Sequence, residues 1–464
     1  MTDISLERES AHGDAPTGPG SVLPDSCIVG TAGELTAALE SGARTIRVAG
    51  ALYGLPSFRL PPGVTLCGGE LEFTSGGLIL TADNELRDVT VRTPEHEIAI
   101  RNDCAVADFG VLVLHEVSTH GQVLLEAAGA VRAGHIDING LSVVAADTRA
   151  RTVLPAGYGV SARQGAVTVW NRQDDPAVVL TARLRAIAAG TAAAPVRGSG
   201  VMVGGFHADD TGGRVHISSL TTGEIHSDGG IAPGTADLIS GGVFVLGGAH
   251  IGLVVNEGSV TTHGPNDMVL DNWGSVVRWI AQSPVCSFGP SGIGFVNFGD
   301  IEELEVRAPI VTRGAGARGF NLYAGSVGHA RFAGITTYGD GAVGFQVTRK
   351  LLRLSITGDL HTHGGRALSL VEGVQTELEA VALSIKPGGA IDTVDIGGQV
   401  VSEGARVPAV EIEGTLGRLE VAGGITALGD GADAVHVLRG ERFDLAGTEV
   451  NAKYGKPLSY AAIG

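Results

Sequence analysis

Ile310-Val-Thr-Arg-Gly-Ala-Gly-Ala-Arg-Gly-Phe320 and Ile335-Thr-Thr-Tyr-Gly-Asp-Gly-Ala-Val-Gly-Phe345 are two copies of one pattern, 25 residues apart. The pattern extends in both directions. Gly229, Gly264, Gly289, Gly314, Gly339, Gly364, Gly404 and Gly429 occupy equivalent places, with separations of 35, 25, 25, 25, 25, 40 and 25. From the second glycine onward an apolar residue stands six residues after it: Leu270, Phe295, Phe320, Phe345, Leu370, Val410 and Val435. Two residues before it stands a hydroxyl (Ser227, Thr262, Ser287, Thr312, Thr337, Thr362, Ser402), broken only by Ala427.

This period is too short for a helix-pair repeat of about 34 residues or more. Runs such as Leu416-Gly-Arg-Leu-Glu-Val421 alternate with the two-residue period of strands. Each repeat therefore reads as one coil of about three short strands joined by glycine turns, and roughly 14 coils stack at the strand spacing of about 4.8 Å. Like side chains then form columns: hydroxyls chained to hydroxyls, Val, Leu and Phe filling a dry interior, and glycine supplying positive φ at the turn. The 35 and 40 spacings, and segments 147–151 and 188–197, read as insertions or longer loops. No six-residue period appears, which disfavours a left-handed helix built on hexapeptides. The expected fold is all-β: a single right-handed parallel β-helix, a solenoid, over residues 27–440. A flexible arm, 1–26, precedes it, and 441–464, with Tyr454 and Tyr460, is expected to cap the far end.

Thr31-Ala-Gly-Glu34 has the form of a capping box, so a short helix with Leu35, Ala38 and Leu39 on its apolar side is expected over the open end of the first coil. With Leu60-Pro-Pro-Gly-Val-Thr-Leu-Cys-Gly68, the stretch Thr31-Ala-Gly-Glu-Leu-Thr-Ala-Ala-Leu39 resembles the entry segment of the pectate-lyase-like β-helix superfamily. The resemblance covers about 40 residues and concerns the fold. It carries no catalytic residue across. Pectate lyases use calcium-binding aspartates and an arginine base, and the polygalacturonase type uses Asn-Thr-Asp, Asp-Asp, His-Gly and Arg-Ile-Lys. Here Asp174-Asp175, Asp209-Asp210 and His363-Gly364 occur, but Asn-Thr-Asp does not, and Arg349-Lys350 is not the required tripeptide.

Composition narrows the partners. The formal charge is −18, and lysine occurs only at Lys350, Lys386, Lys453 and Lys456. Phosphate-rich partners need clustered cations, so neither nucleic acid nor an anionic membrane is expected as a partner. A polyanion would need a local arginine cluster or a bridging metal. Cys27, Cys67, Cys104 and Cys286 stand far apart, without a CxxC pair, and read as isolated thiols. Residues 1–26 lack the basic start and apolar run of a signal peptide, and no stretch spans a bilayer, so a soluble, cytoplasmic protein is expected. No cofactor is implied, and oligomeric state is not readable.

The most polar stretch is Thr262-His-Gly-Pro-Asn-Asp-Met-Val-Leu-Asp-Asn-Trp273. His263, Asp267 and Asp271, with Arg313, are the candidate catalytic residues, because acids and bases of this kind act in glycoside chemistry. Turn chemistry at Pro265-Asn266-Asp267 and a solvated Asp271 are the plainer reading. Nine residues after the repeat glycine come Trp273, Phe298 and Tyr323, a column that points either outward as a sugar-stacking platform or inward as core. Asn272 and Asn297, one residue earlier, are the candidate hydrogen-bonding partners of sugar hydroxyls. The residue before the repeat glycine varies (Asp228, His263, Phe288, Arg313, Tyr338, His363, Glu403, Leu428), as an exposed site does. His361 and His363 share one side of a strand, but no third ligand is near in sequence, so no metal is assigned.

Two readings of function follow. One is a carbohydrate-recognising β-helix, acting on a glycan or small molecule as a lyase, hydrolase or epimerase. The other is a non-catalytic solenoid serving as a protein-binding or structural surface. Convergence of the polar groups on one face favours the first, and scatter around the rod favours the second.

Overall fold

The computed structural model describes residues 26–207, 209–371, 374–439 and 443–461. The expected arm therefore lies almost wholly outside the described residues. Thr31 caps the helix Ala32–Ser41: its side chain accepts the Glu34 N–H, and the Glu34 carboxylate accepts the Thr31 N–H at 3.1 Å. Gly42, at φ 77°, ends the helix, and Leu35 and Ala38 turn inward. The helix packs near the first strands, where it covers exposed core.

Beyond it the chain winds as a parallel β-helix, each regular coil giving one strand to each of three parallel ladders. One coil runs through Ser275–Ala281, Val285–Ser287 and Ile293–Asn297, and the next through Asp300–Val306, Ile310–Arg313 and Arg318–Leu322. Each position pairs with its counterpart one coil on, so Val285 faces Ile310 and Phe295 faces Phe320. In the less regular half, single strands such as Asp108–His120 and Arg214–Asp228 run through two ladders without a break. Residues Val450–Ala452 and Leu458–Tyr460, within the segment expected to cap the end, add one more strand to the second and third ladders.

The interior is apolar, as the columns require. Phe295, Phe320 and Phe345 stack at centroid separations of 5.9 and 4.5 Å, and all three are fully buried. This column does not continue to Leu370. Residues Arg366–Val371 and Val374–Glu379 form an antiparallel hairpin that leaves the solenoid, and Leu383 takes the place above Phe345. The 40-residue spacing is thus an insertion, as expected, and a count of six from Gly364 ends inside it.

Two column expectations change in detail. The hydroxyls are buried, but only Thr262 and Ser287 meet side chain to side chain, at 3.4 Å. Thr337, Thr362 and Ser402 instead donate to the carbonyls of Ala342, Ala380 and Val407, across the turn of their own coil. The repeat glycines are required by close approach more than by dihedral. Only Gly314 and Gly339 of the eight have positive φ. A Cβ on Gly364 would lie 1.7 Å from the Gly339 carbonyl oxygen, and one on Gly429 would lie 1.9 Å from that of Gly404. Successive coils touch backbone to backbone there, and no side chain fits.

All four cysteines are free thiols. Among the described residues no helix is long and apolar enough to cross a membrane.

Candidate functional site

The outer face of the third ladder carries a second apolar cluster, separate from the solenoid interior. Trp170, Met202, Phe244, Met268, Trp273, Ile293 and Val296 belong to it, with Phe298 and Tyr323 packed against its edge. Insertions cover this face. The segment before Val160–Ala162 brings in Tyr158, the loop before Leu238 brings in Ala236, and the hairpin brings in Val371; all three line one cavity with the strand residues beneath. Tyr158 stacks on Phe298 at 4.5 Å, and its hydroxyl donates to the Phe298 carbonyl at 3.3 Å. The hairpin is anchored by a 3.0 Å hydrogen bond between the Ser291 and Ser369 hydroxyls. Convergence of loops from distant coils on one patch of a rigid scaffold is how binding sites are built.

Two charged residue types stand in this apolar setting. Asp271 lies in register between Phe244 and Val296, is fully buried, and has no hydrogen bond to either carboxyl oxygen. Burial raises its carboxyl well above the ordinary range and so favours the protonated form, against a smaller opposing influence of the Trp273 indole. Arg318 lies in register between Ile293 and Val343 and is 3 % exposed. Its Nη2 is buried without a partner, and among the described residues its guanidinium makes no ion pair. Asp271 and Arg318 both line the cavity. Asn321, one coil beyond Val296 in the Asp271 column, is likewise buried with both amide atoms unpartnered. Native proteins leave few buried polar groups unsatisfied, so this concentration on one face makes the cavity the candidate site.

The remaining sequence candidates fall elsewhere. Asp267 is buried behind the turn, where its carboxylate accepts the Ser240 hydroxyl at 2.5 Å and the N–H groups of Gly229 and Gly264 at 3.2 and 2.8 Å. Burial outweighs those donors and carries its carboxyl up to about 6. It clasps two coils together. His263 is half-buried between the rings of His226 and Phe288, each 5.7 Å away, and Arg313 is exposed with its guanidinium 4.3 Å over the Tyr338 ring. Neither lines the cavity.

Asn272 and Asn297 are wholly buried and serve the turn instead of facing a ligand. The Asn272 amide donates to the Asn297 Oδ1 at 2.8 Å and to the Gly274 carbonyl at 3.2 Å, while Asn297 donates to the Gly299 carbonyl at 2.7 Å. Their hydrogen-bonding capacity is used inside the fold. The Trp273–Phe298–Tyr323 column points outward from the solenoid interior, yet its members differ. Trp273 is buried beneath Tyr158, whereas Phe298 and Tyr323, stacked at 5.3 Å, line the cavity. On the far side of Tyr158 and Phe298 lies a more polar groove with Asp209, Asp210, His250 and Asp300.

Arg318 and Tyr158 were not singled out from sequence. Arg318 had a legible signal, being the one cation at a repeat position otherwise held by Met268, Ile293 and Val343. Tyr158 had none, since its insertion has no repeat to compare with.

A second polar constellation lies at the end of the second ladder. Glu403, one coil above His363, faces His361 Nε2 at 3.0 Å and His363 Nδ1 at 3.1 Å. Partial burial acts to raise the Glu403 carboxyl, but His363 and then His361 outweigh it and hold it below the usual range.

In the comparisons with known proteins no family model, no curated protein and no solved structure matches the chain. The fold and site therefore define the class, a parallel β-helix with an insertion-covered cavity on its outer face.

Proposed function

We propose that this cavity recognises a small ring ligand carrying an anionic group, an acidic sugar being the class of best chemical fit, and that the protein is a carbohydrate-recognising β-helix. The observation that carries the reading is Arg318, a buried guanidinium without a partner. Leaving such a cation unpaired costs several kcal/mol, of order 3–5 for a broken buried pair, and a ligand carboxylate in a bidentate pose removes that cost. The net charge of −18 opposes an anion at long range. Screening beyond about 8–10 Å weakens that field, while a contact pair at an effective dielectric near 20 gains about 4 kcal/mol before desolvation.

The rings of Phe298 and Tyr323, where they line the cavity, offer apolar contact to a sugar ring. Burial favours the protonated Asp271 carboxyl, whose O–H can donate to a ring hydroxyl, and a carboxyl held in that form can serve as a general acid. The cavity volume of about 90 Å³ is small beside the roughly 300–1,000 Å³ of drug-sized sites, which favours one ring or terminal unit over a threaded polymer. The likeness of Thr31–Leu39 and Leu60–Gly68 to the pectate-lyase-like entry segment adds an association with sugars.

The test is a calorimetric panel of hexuronates against the matching neutral hexoses. Saturable binding of at least one uronate, with its neutral counterpart at least tenfold weaker, supports the reading. Equal binding of acid and neutral forms, or none across the panel, overturns it and favours a solenoid that serves as a protein-binding or structural surface.

A further inference from the structure

His361 and His363 alternate along the chain beside the strand Leu360–Thr362, which places both imidazoles on its outer side. The rings stack at 4.0 Å, and His363 stacks in turn on Tyr338 at 4.4 Å, so both are held in place from below. The third member comes from the next coil. Thr362 pairs with Ser402, which sets Glu403 directly over His363, and the hairpin insertion is what separates the two in sequence. One nitrogen from each imidazole and a carboxylate oxygen lie mutually within 4.8 Å. Among the described residues Glu403 has no lysine or arginine partner, and all three side chains reach solvent, at 26 %, 27 % and 38 % exposure.

We propose that His361, His363 and Glu403 form a site for a divalent transition-metal ion of the zinc type, joining two successive coils and leaving a coordination position open to solvent. The donor set decides the metal class. Two imidazole nitrogens and one carboxylate oxygen suit Zn²⁺, Co²⁺, Ni²⁺ or Cu²⁺, whereas Ca²⁺ and Mg²⁺ prefer all-oxygen shells. The spacing agrees. Ligand bonds of about 2.0–2.1 Å at tetrahedral angles put neighbouring donor atoms about 3.3 Å apart, so contacts of 3.0 and 3.1 Å need to open by only a few tenths of an ångström. Without metal, a ring nitrogen of each imidazole faces a Glu403 carboxylate oxygen. With metal, the neutral ring carries its proton on the other nitrogen and offers the facing one as a ligand.

The experiment is a competition titration of untagged, chelator-treated full-length protein with Zn²⁺ against a chromogenic zinc chelator. The expected result is one Zn²⁺ bound per chain, unaffected by a large excess of Ca²⁺ or Mg²⁺. His363→Ala and Glu403→Gln should weaken binding at least tenfold. His216→Ala, which removes one ring of the unrelated His216–His250 pair, should leave it unchanged. Absence of stoichiometric binding, or native affinity retained by both His363→Ala and Glu403→Gln, overturns the proposal. A second measurement needs no variant. Co²⁺ added to the native protein should give the intense visible bands of low-coordinate nitrogen and oxygen ligation, and a spectrum identical to hydrated Co²⁺ overturns the site.

Discussion

Asp271 and Arg318 stand two coils apart on the same ladder and line the same cavity, where neither the Asp271 carboxyl oxygens nor Arg318 Nη2 has a geometric hydrogen-bond partner and the two side chains do not pair with each other. A protein under selection for stability alone would place apolar residues at both positions, as it does at the intervening Ile293 and Val296. The arrangement has measurable consequences.

Replacing Arg318 by methionine keeps most of the side chain's volume and removes the unpaired cation. The ligand-free variant should be more stable than the native protein by about 1–3 kcal/mol, read as a higher urea midpoint. A lower midpoint would mean that the guanidinium already has a stabilising partner.

Asp271 and Asp267 make stability depend on pH in the direction opposite to a paired carboxylate. Folding favours the protonated form of each, so the stabilisation is fully present below the ordinary carboxylate range. It is lost as pH rises through about 6 for Asp267, and Asp271, which burial raises well above the ordinary range, acts in the same direction. The decline should approach about 1.4 kcal/mol per pH unit for each proton by which the states differ. Asp271→Asn should flatten the urea midpoint between about pH 5 and 7. A native profile that rises over that interval, unchanged in the variant, would contradict the assignment.

The interior should respond as a packed core. Phe320 stacks between Phe295 and Phe345 and meets Phe332 edge-on at 5.3 Å. Phe320→Ala should cost about 3–5 kcal/mol by chemical denaturation. A loss below about 1 kcal/mol would mean that the ring is not in a close-packed column.

Two glycine substitutions should differ in sign. Gly364→Ala drives a methyl group into the Gly339 carbonyl and should cost more than about 4 kcal/mol, whereas Gly33→Ala, in the helix with nothing within 4 Å, should gain about 0.5–1 kcal/mol. Comparable melting temperatures for both variants would contradict backbone contact between coils.

The fold was legible because a solenoid writes each coil in the same register. Gly289, Gly314 and Gly339 recur where backbones touch, and Phe295, Phe320 and Phe345 recur where the chain faces the interior. The site was only partly legible, for the same reason in reverse. Asp271 and the ring column could be found by their place in the repeat, but burial could not, so Asn272 and Asn297 looked like ligand-facing groups when their amides hold the turn. The loops that close the cavity lie outside the repeat, and nothing in the 25-residue pattern says that Tyr158 and Val371 meet over Phe298 and Tyr323. Glu403 stands in the same repeat position as His363, one coil on, but the hairpin lengthens that coil so that the two lie 40 apart in sequence, and the column reads as one of varied exposed residues.

The central claim is that Arg318 is the anion-binding group of the cavity. Its most direct test is titration of the native protein, Arg318→Met and Arg313→Met with whichever uronate the native protein binds. The account expects Arg318→Met to weaken binding at least tenfold while Arg313→Met, altered at an exposed position outside the cavity, binds as the native protein does. Undiminished binding by Arg318→Met, or a loss confined to Arg313→Met, would contradict it.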